Sequence, residues 1–429
     1  MAIWKVIRNK IGGFLKKVGP GFVTGAADDD PSGVATYSIA GAQYGYRMSW
    51  MSLFLLPAMI SIQEMCGRIG LVTGRGLAAV IKQFYSVRLM WFAVSLLAIA
   101  NIINIGADLG IMAESLRMLF GLPFYFWLVV TSTLIVWLEI SIKYKKYARV
   151  LKWLGLSLLV YVITAFMVKQ NWGEVLYMTL VPHIDLTSGY LLTMVGFLGT
   201  TISPYLFFWQ ASEEVEEKIS DARSDISDFG QKSVTWPSAI GKMRWDTKMG
   251  MLFSNTMTFF IVLTTAATLH KNGIFNITTP QEAAMALRPL VGNFAYVLFA
   301  LGMIGIGLQS IPVLAGSLAY AVADGLGIPE GLSKKFSQAK GFYIAILLAT
   351  VIGAVINLIG INTMQALYYA AIINGIAAVP LIFIIIKLAD DGRVVEGYKT
   401  QKKYRIIAWI TFIFMGLSVL MMLGSLLGK

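Results

Sequence analysis

Histidine and cysteine are almost missing from this chain, with His183, His270 and Cys66 the only examples in 429 residues. A lone cysteine forbids an internal disulfide and leaves the redox compartment open, and so small a stock of imidazole and thiol supplies neither a zinc cluster nor an activated nucleophile. An enzyme is therefore not expected, nor is a bound cofactor. Charge is scarce too, at 14% of residues against 57% hydrophobic, and the mean hydropathy is +0.70. A water-soluble domain of this size does not tolerate that balance. The polar stretches are too short for a separate receptor or catalytic domain, and no re-entrant loop suggests a channel filter.

Long apolar runs are what the chain has in plenty, and they make it an all-α integral membrane protein. We read eleven spans: Val18 to Gly45, Met48 to Cys66, Met90 to Leu109, Phe124 to Ile142, Val150 to Val168, Gly189 to Ala211, Met249 to Leu269, Phe294 to Leu314, Gly341 to Leu358, Met364 to Ile386 and Ile406 to Leu427. Met1 to Lys17 is basic and amphipathic and reads as a cytoplasmic N-terminal segment, not a signal peptide. With that end inside, 29 of the 35 Lys and Arg fall in inner segments. This bias predicts a multi-pass protein of the cell membrane with its N-terminus in the cytoplasm and its C-terminus outside. The net charge of +12 is thereby spent on topology and anionic lipid, and no nucleic-acid partner is expected. The longest polar segment, Ser212 to Lys248, is expected to form a short amphipathic linker.

Two interruptions stand out. Ala27-Asp28-Asp29-Asp30-Pro31-Ser32-Gly33 puts three carboxylates and two helix breakers inside the first span. Ionisable groups there are costly and mark function by default, and Pro31 with Gly33 should break the helix beside Asp30 and free carbonyl oxygens. Span 6 carries Gly196-Phe197-Leu198-Gly199-Thr200-Thr201-Ile202-Ser203-Pro204-Tyr205, with a second proline near its middle. Breaks five spans apart predict an inverted repeat with a transport site at the bilayer midplane. The expected organisation is residues 18–168 as the first repeat, 189–386 as the second, and 406–427 as an additional span. Carboxylates beside loose carbonyls suit a hard cation.

Gly19-Pro20-Gly21-Phe22, Asp30-Pro31-Ser32-Gly33 with Ala35-Thr36, Gln63, Arg68-Ile69-Gly70, Ala107-Asp108-Leu109 and Leu119-Phe120-Gly121 resemble the NRAMP (natural resistance-associated macrophage protein) family of divalent-metal transporters. The resemblance covers spans 1 to 10 and implies a leucine-transporter-like fold, alternating access and a divalent cation as substrate. It also implies that Asp30 is the metal-binding aspartate and that the Thr200 carbonyl faces the ion. The family carries Asp-Pro-Gly-Asn in span 1 and Met-Pro-His in span 6. Here Gly33 stands for the asparagine and Ser203 for the methionine. A thioether favours softer transition metals, so its loss removes a reason to exclude Mg²⁺, and small side chains would leave room for a hydrated ion. The pattern is similar to that of the divergent prokaryotic NRAMP-related magnesium transporters, with Mn²⁺ as a further substrate.

Other positions have weaker claims. Ser203 is expected to hold water or support the site. Asp28 and Asp29 either line a vestibule or are solvated or partly protonated acids, and at most one of them can share the Asp30 face. Glu213 and Glu214 either attract cations at the inner mouth or belong, with Glu216 and Glu217, to a solvated helix end. The family's span 10 glutamine falls on Leu367, and Asn374 is read as an interhelical hydrogen bond. Transition-metal members are proton symporters with span 6 histidines and a span 3 carboxylate pair. Here Tyr205 and Gln210 take the histidine positions, and Asp108 has Ile111 in place of its partner. With no histidine in mid-path, flux without proton coupling is expected. The alternatives are a proton-coupled transition-metal symporter and a sodium-coupled amino-acid transporter of the same fold. Three aspartates disfavour the latter's carboxylate substrate. Oligomeric state is left open, a monomer included.

Overall fold

The computed structural model describes residues 24–141 except 26, together with 156–225 and 236–427. The basic segment before Val18 lies outside the described residues. Among those described, the chain forms helices, turns and loops without a strand.

In chain order the main helices are α1 (Pro31–Tyr44), α2 (Ser49–Thr73), α3 (Leu77–Phe84), α4 (Val87–Phe120), α5 (Phe124–Ser141), α6 (Leu159–Met167), α7 (Trp172–Leu180), α8 (Ser188–Thr201), α9 (Pro204–Asp225), α10 (Trp236–Thr268), α11 (Ala295–Leu326), α12 (Lys340–Ile356), α13 (Thr363–Asp390) and α14 (Lys402–Leu427). Nine stretches of the described residues are long and apolar enough to cross a bilayer. The first of these, 31–73, joins α1 to α2, and the expected fifth span is represented by α6, its first part lying outside the described residues.

Helix ends follow local chemistry. Ser86 caps α4 by accepting from the Leu89 amide at 3.1 Å, and Gly121, at φ +77°, stops it in a left-handed conformation that costs glycine little. Of the linker expected over Ser212 to Lys248, the described residues, 212–225 and 236–248, are helical. With no proline or glycine between Ser212 and Asp225, α9 continues without a break through the acidic run to Asp225, and 236–248 belong to α10.

The helices sort into an inner and an outer set. In the 188–219 stretch, which holds α8 and the first half of α9, 94% of the most apolar window is buried, whereas the figures are 22% for α5, 33% for α12 and 28% for α14. Apolar side chains such as Val129, Phe126, Leu348, Ile410 and Leu420 therefore face outward, as a lipid-facing ring requires. Inside, backbones touch. A Cβ on Gly199 of α8 would stand 2.1 Å from the Ala371 carbonyl oxygen and the Gly375 nitrogen of α13, and one on Gly25 would stand 2.2 Å from the Gly250 carbonyl carbon of α10. Such approaches let membrane helices gain dispersion contact where lipid supplies no hydrophobic drive. Among these inner elements α10 packs on α1, α2 on α9, and α4 on α11.

Toward one end of α2, buried Glu64 is paired with Arg68 of the same helix and with Arg244 of α10, the latter at 3.0 Å. Arg68 also donates to the Tyr398 carbonyl at 3.2 Å, tying α2 and α10 to the turn before α14. In the connection between α10 and α11, the short helix Pro280–Ala284 carries a capping box between Thr279 and Glu282. Partial burial opposes the charge of Glu282, yet donors from Thr278 and Thr279 hold its carboxyl below the ordinary range.

Candidate metal centre

The first break is built by Asp30. The chain is helical at Thr24, Gly25, Ala27 and Asp28, bends at Asp29, and extends at Asp30 (φ −74°, ψ 171°), where Pro31 opens α1. Asp30 Oδ1 accepts from the Gly33 amide at 2.7 Å and the Ser32 hydroxyl at 2.8 Å. Its Oδ2 accepts from Asn104 Nδ2 of α4 at 2.7 Å. Asp30 thus caps the half-helix. Both acceptor positions of Oδ1 are filled, and one on Oδ2 is open to a ligand.

The second break lies between α8 and α9. Ser203 donates to the Thr200 carbonyl at 2.8 Å and the Gly199 carbonyl at 3.0 Å, occupying carbonyls that the helix end leaves unpaired. The breaks meet at Gly33: a Cβ there would stand 3.0 Å from Thr200 Oγ1 and 3.3 Å from the Tyr37 ring. The room expected beside Gly33 is therefore taken by Thr200 and Tyr37. The Tyr205 hydroxyl donates to the Ala27 carbonyl at 2.9 Å, and Tyr37 and Thr201 share a hydroxyl contact of 3.0 Å. Each broken helix thus satisfies groups of the other.

Asn104 was not singled out in the sequence, yet it joins the centre together. Its Nδ2 also lies 3.4 Å from Asp108 Oδ2, while its Oδ1 accepts from Asn374 Nδ2 of α13 at 3.0 Å. Asp108 Oδ2 further accepts from Ser310 of α11 at 3.0 Å. Asn374 makes an interhelical hydrogen bond, as read from the sequence, but with the residue that holds Asp30. Asp108 belongs to the same network. The local signal is a pair of amides, Asn101 and Asn104, two turns and one turn before Asp108 in an apolar run.

Asp28 and Asp29 turn away from Asp30, toward α10. Ser254 Oγ donates at 2.5 Å to Asp28 Oδ2 and lies 3.2 Å from Asp29 Oδ1. Both are buried, so the solvated reading fails for them. It fails for Glu214 as well: its carboxylate is buried and accepts from Gln210 at 2.8 Å, because α9 continues under neighbouring helices. Glu213 is half-buried beside it, Glu216 accepts from Tyr320 at 2.5 Å, and Glu217 pairs with Lys242 at 3.1 Å. Leu367 and Ile111 are buried and apolar.

Asp30, Asn104, Asp108, Thr200, Ser203 and Asn374 are all closed off from solvent. Among the described residues no three His, Cys, Asp or Glu side chains converge as a ligand group. The hydrogen-bonded centre instead assembles carboxylate, hydroxyl, carboxamide and carbonyl groups, the hard donors that Mg²⁺ and Mn²⁺ take.

Two broken helices crossing at buried carboxylates, among apolar helices long enough to cross a membrane, are the architecture of a membrane carrier. The family model of natural resistance-associated macrophage protein-like proteins matches residues 21–425. The chain belongs to the Nramp family and is a divalent-metal transporter. Among solved structures it is similar to the Eremococcus coleocola manganese transporter in complex with an aromatic bis-isothiourea compound, at 19% identity and a TM-score of 0.72 over 94% of this chain and 85% of that one. It also resembles Mhp1, a nucleobase-cation-symport-1 family transporter, in a closed conformation, at 13% identity and a TM-score of 0.61 over 95% and 90% of the two chains. The inward-facing form of Mhp1 matches at 0.53 and 11% identity, over 94% and 90%. These likenesses carry the leucine-transporter-like fold.

Proposed function

We propose that this transporter moves Mg²⁺, with Mn²⁺ as a further substrate, by alternating access and without proton coupling. One observation carries the reading: at the two crossing breaks, Gly33 and Ser203 present hydrogen and hydroxyl where the family has asparagine and methionine. Selection then rests on the missing soft ligand, not on spare room, since Thr200 and Tyr37 fill the space beside Gly33. Asp30 binds the ion through Oδ2, Thr200 offers its carbonyl once Ser203 releases it, and Ser203, Asn104 and Asn374 support them. Tyr205 stands at a histidine position of the family and is engaged with Ala27, so it offers no group that titrates near neutral pH.

The driving force is the membrane potential, about 4.6 kcal/mol per divalent ion per 100 mV. The carrier sits in the cell membrane with its N-terminus inside and C-terminus outside. Residues 18–168 and 189–386 form its two repeats, 406–427 adds a peripheral span, and a monomer suffices for the path.

A proton-coupled Mn²⁺ symporter is the second reading. It is favoured by Asp108, a buried carboxylate on the Asn104 network. Proteoliposomes with a magnesium dye and an internal pH dye separate the two. The expected result is saturable Mg²⁺ entry without acidification, reduced at least tenfold in Asp30→Ala. Mn²⁺ entry with acidification and no Mg²⁺ entry would establish the second reading instead.

A further inference from the structure

The three aspartates of the first break do not act as one group, and two of them are left with a surplus of acceptor. Asp30 has three donors on its two oxygens. Asp28 and Asp29 share the hydroxyl of Ser254, which has one proton to give. Asp28 Oδ1 and Asp29 Oδ2 are buried without a hydrogen-bond partner. Thr258 is one turn further along α10, on the Ser254 face. Its fully buried hydroxyl lies against Asp29 and Tyr37 but outside hydrogen-bond geometry, and it too has no partner. The contact of Gly25 with the Gly250 backbone presses this end of the first half-helix onto α10. The four side chains are therefore held together by the fold.

Unpaired buried carboxylate oxygens are expensive, and a buried carboxylate pair relieves that cost by sharing a proton or by coordinating a cation. A divalent ion between Asp28 and Asp29 would take the place of that proton and meet the two oxygens that lack a partner, Asp28 Oδ1 and Asp29 Oδ2.

We infer that Asp28, Asp29, Ser254 and Thr258 form a second divalent-cation site, occupied together with the site at Asp30. The inference rests on the divalent-carrier reading. The donors are two carboxylates and two hydroxyls, all hard oxygens, so the site takes Mg²⁺ or Mn²⁺ and has no preference for soft metals. The two sites lie on opposite sides of one chain break, Asp30 bonded to α4 and the pair to α10, so an ion at either one holds the break to a different partner helix.

The test counts ions on the purified full-length protein in detergent. It uses equilibrium dialysis against MnCl₂ with paramagnetic resonance of free Mn²⁺, repeated with MgCl₂ as competitor. Two Mn²⁺ per chain are expected, both displaced by Mg²⁺. One should remain in the double variant Asp28→Asn with Asp29→Asn, and one in Asp30→Asn. Ser254→Ala and Thr258→Val keep all the carboxylates and guard against a misfolded double variant; each should weaken one ion about tenfold and leave the other unchanged. A single Mn²⁺ that survives the double variant and disappears in Asp30→Asn would overturn the second site while leaving the carrier reading intact. No Mn²⁺ or Mg²⁺ on the unaltered protein would overturn both.

Discussion

Asn104 shows how one neutral side chain can set the reach of a carboxylate. It donates to Asp30, lies beside Asp108 and accepts from Asn374, so three helices converge on the oxygen of Asp30 that keeps one open acceptor position. Removing a buried partner of a charged group costs about 1–3 kcal/mol, and 1.4 kcal/mol is a factor of ten. Asn104→Ala should therefore lower Mg²⁺ uptake about tenfold or more in proteoliposomes, with the protein still eluting as a folded species. Uptake equal to the unaltered protein would mean Asp30 is positioned by its cap alone. The sequence made Asp30 legible because a carboxylate before proline in an apolar run breaks two expectations at once. Asn104 was legible in principle, since Asn101, Asn104 and Asp108 stand at i, i+3 and i+7 on one face of an otherwise apolar span. What the spacing does not show is that this face meets Asp30 and Asn374. Asp28 and Asp29 were legible as acids, but only the bend between them and Asp30 shows that they serve a different helix.

At the scale of elements, breaks and caps were readable and lengths were not. Pro31 and Pro204 mark the starts of α1 and α9 because proline has no amide to give. The continuation of α9 through Asp225 was missed because an acidic run reads as solvated, whereas Glu214 is buried and Glu216 is hydrogen-bonded to Tyr320 and to the Leu332 amide. The turn after α11 carries a related consequence. Burial, with the neighbouring Asp324 carboxylate, pushes Glu330 up to about 9 from an ordinary value of 4.5. Between those values the folded protein keeps a proton that the unfolded chain has released, so stability falls as pH rises through this window. Glu330→Gln removes that dependence. Thermal unfolding in detergent should show little difference between variant and unaltered protein at pH 5 and a higher midpoint for the variant at pH 8.5, the gap widening with pH. Parallel curves would place Glu330 in water.

For the whole molecule, the distribution of Lys and Arg determines the expected orientation, 29 on the inner side against 6 outside. Cys66 is buried and leaves a low background for thiol labelling. In intact cells, an impermeant maleimide should label Lys271→Cys in an outer loop and spare Ser337→Cys in an inner one; the reverse pattern would invert the topology. Composition alone was enough for the membrane class, since no packing arrangement hides a hydropathy of +0.70 in water. Helix pairing was beyond it. The contacts of Gly199 with α13 and Gly25 with α10 are decided by where backbones approach, and 41 glycines give too many candidates to choose from.

The two helix breaks lie inside a jacket of α5, α12 and α14, whose side chains mostly face outward. The jacket is what the surrounding medium touches. Exchanging lipid for detergent therefore changes the environment of Val129, Leu348 and Leu420 before it reaches Asp30. Ion binding measured in micelles and ion movement measured in vesicles thus report on the same enclosed interior, and a discrepancy between them would belong to the motion that opens it.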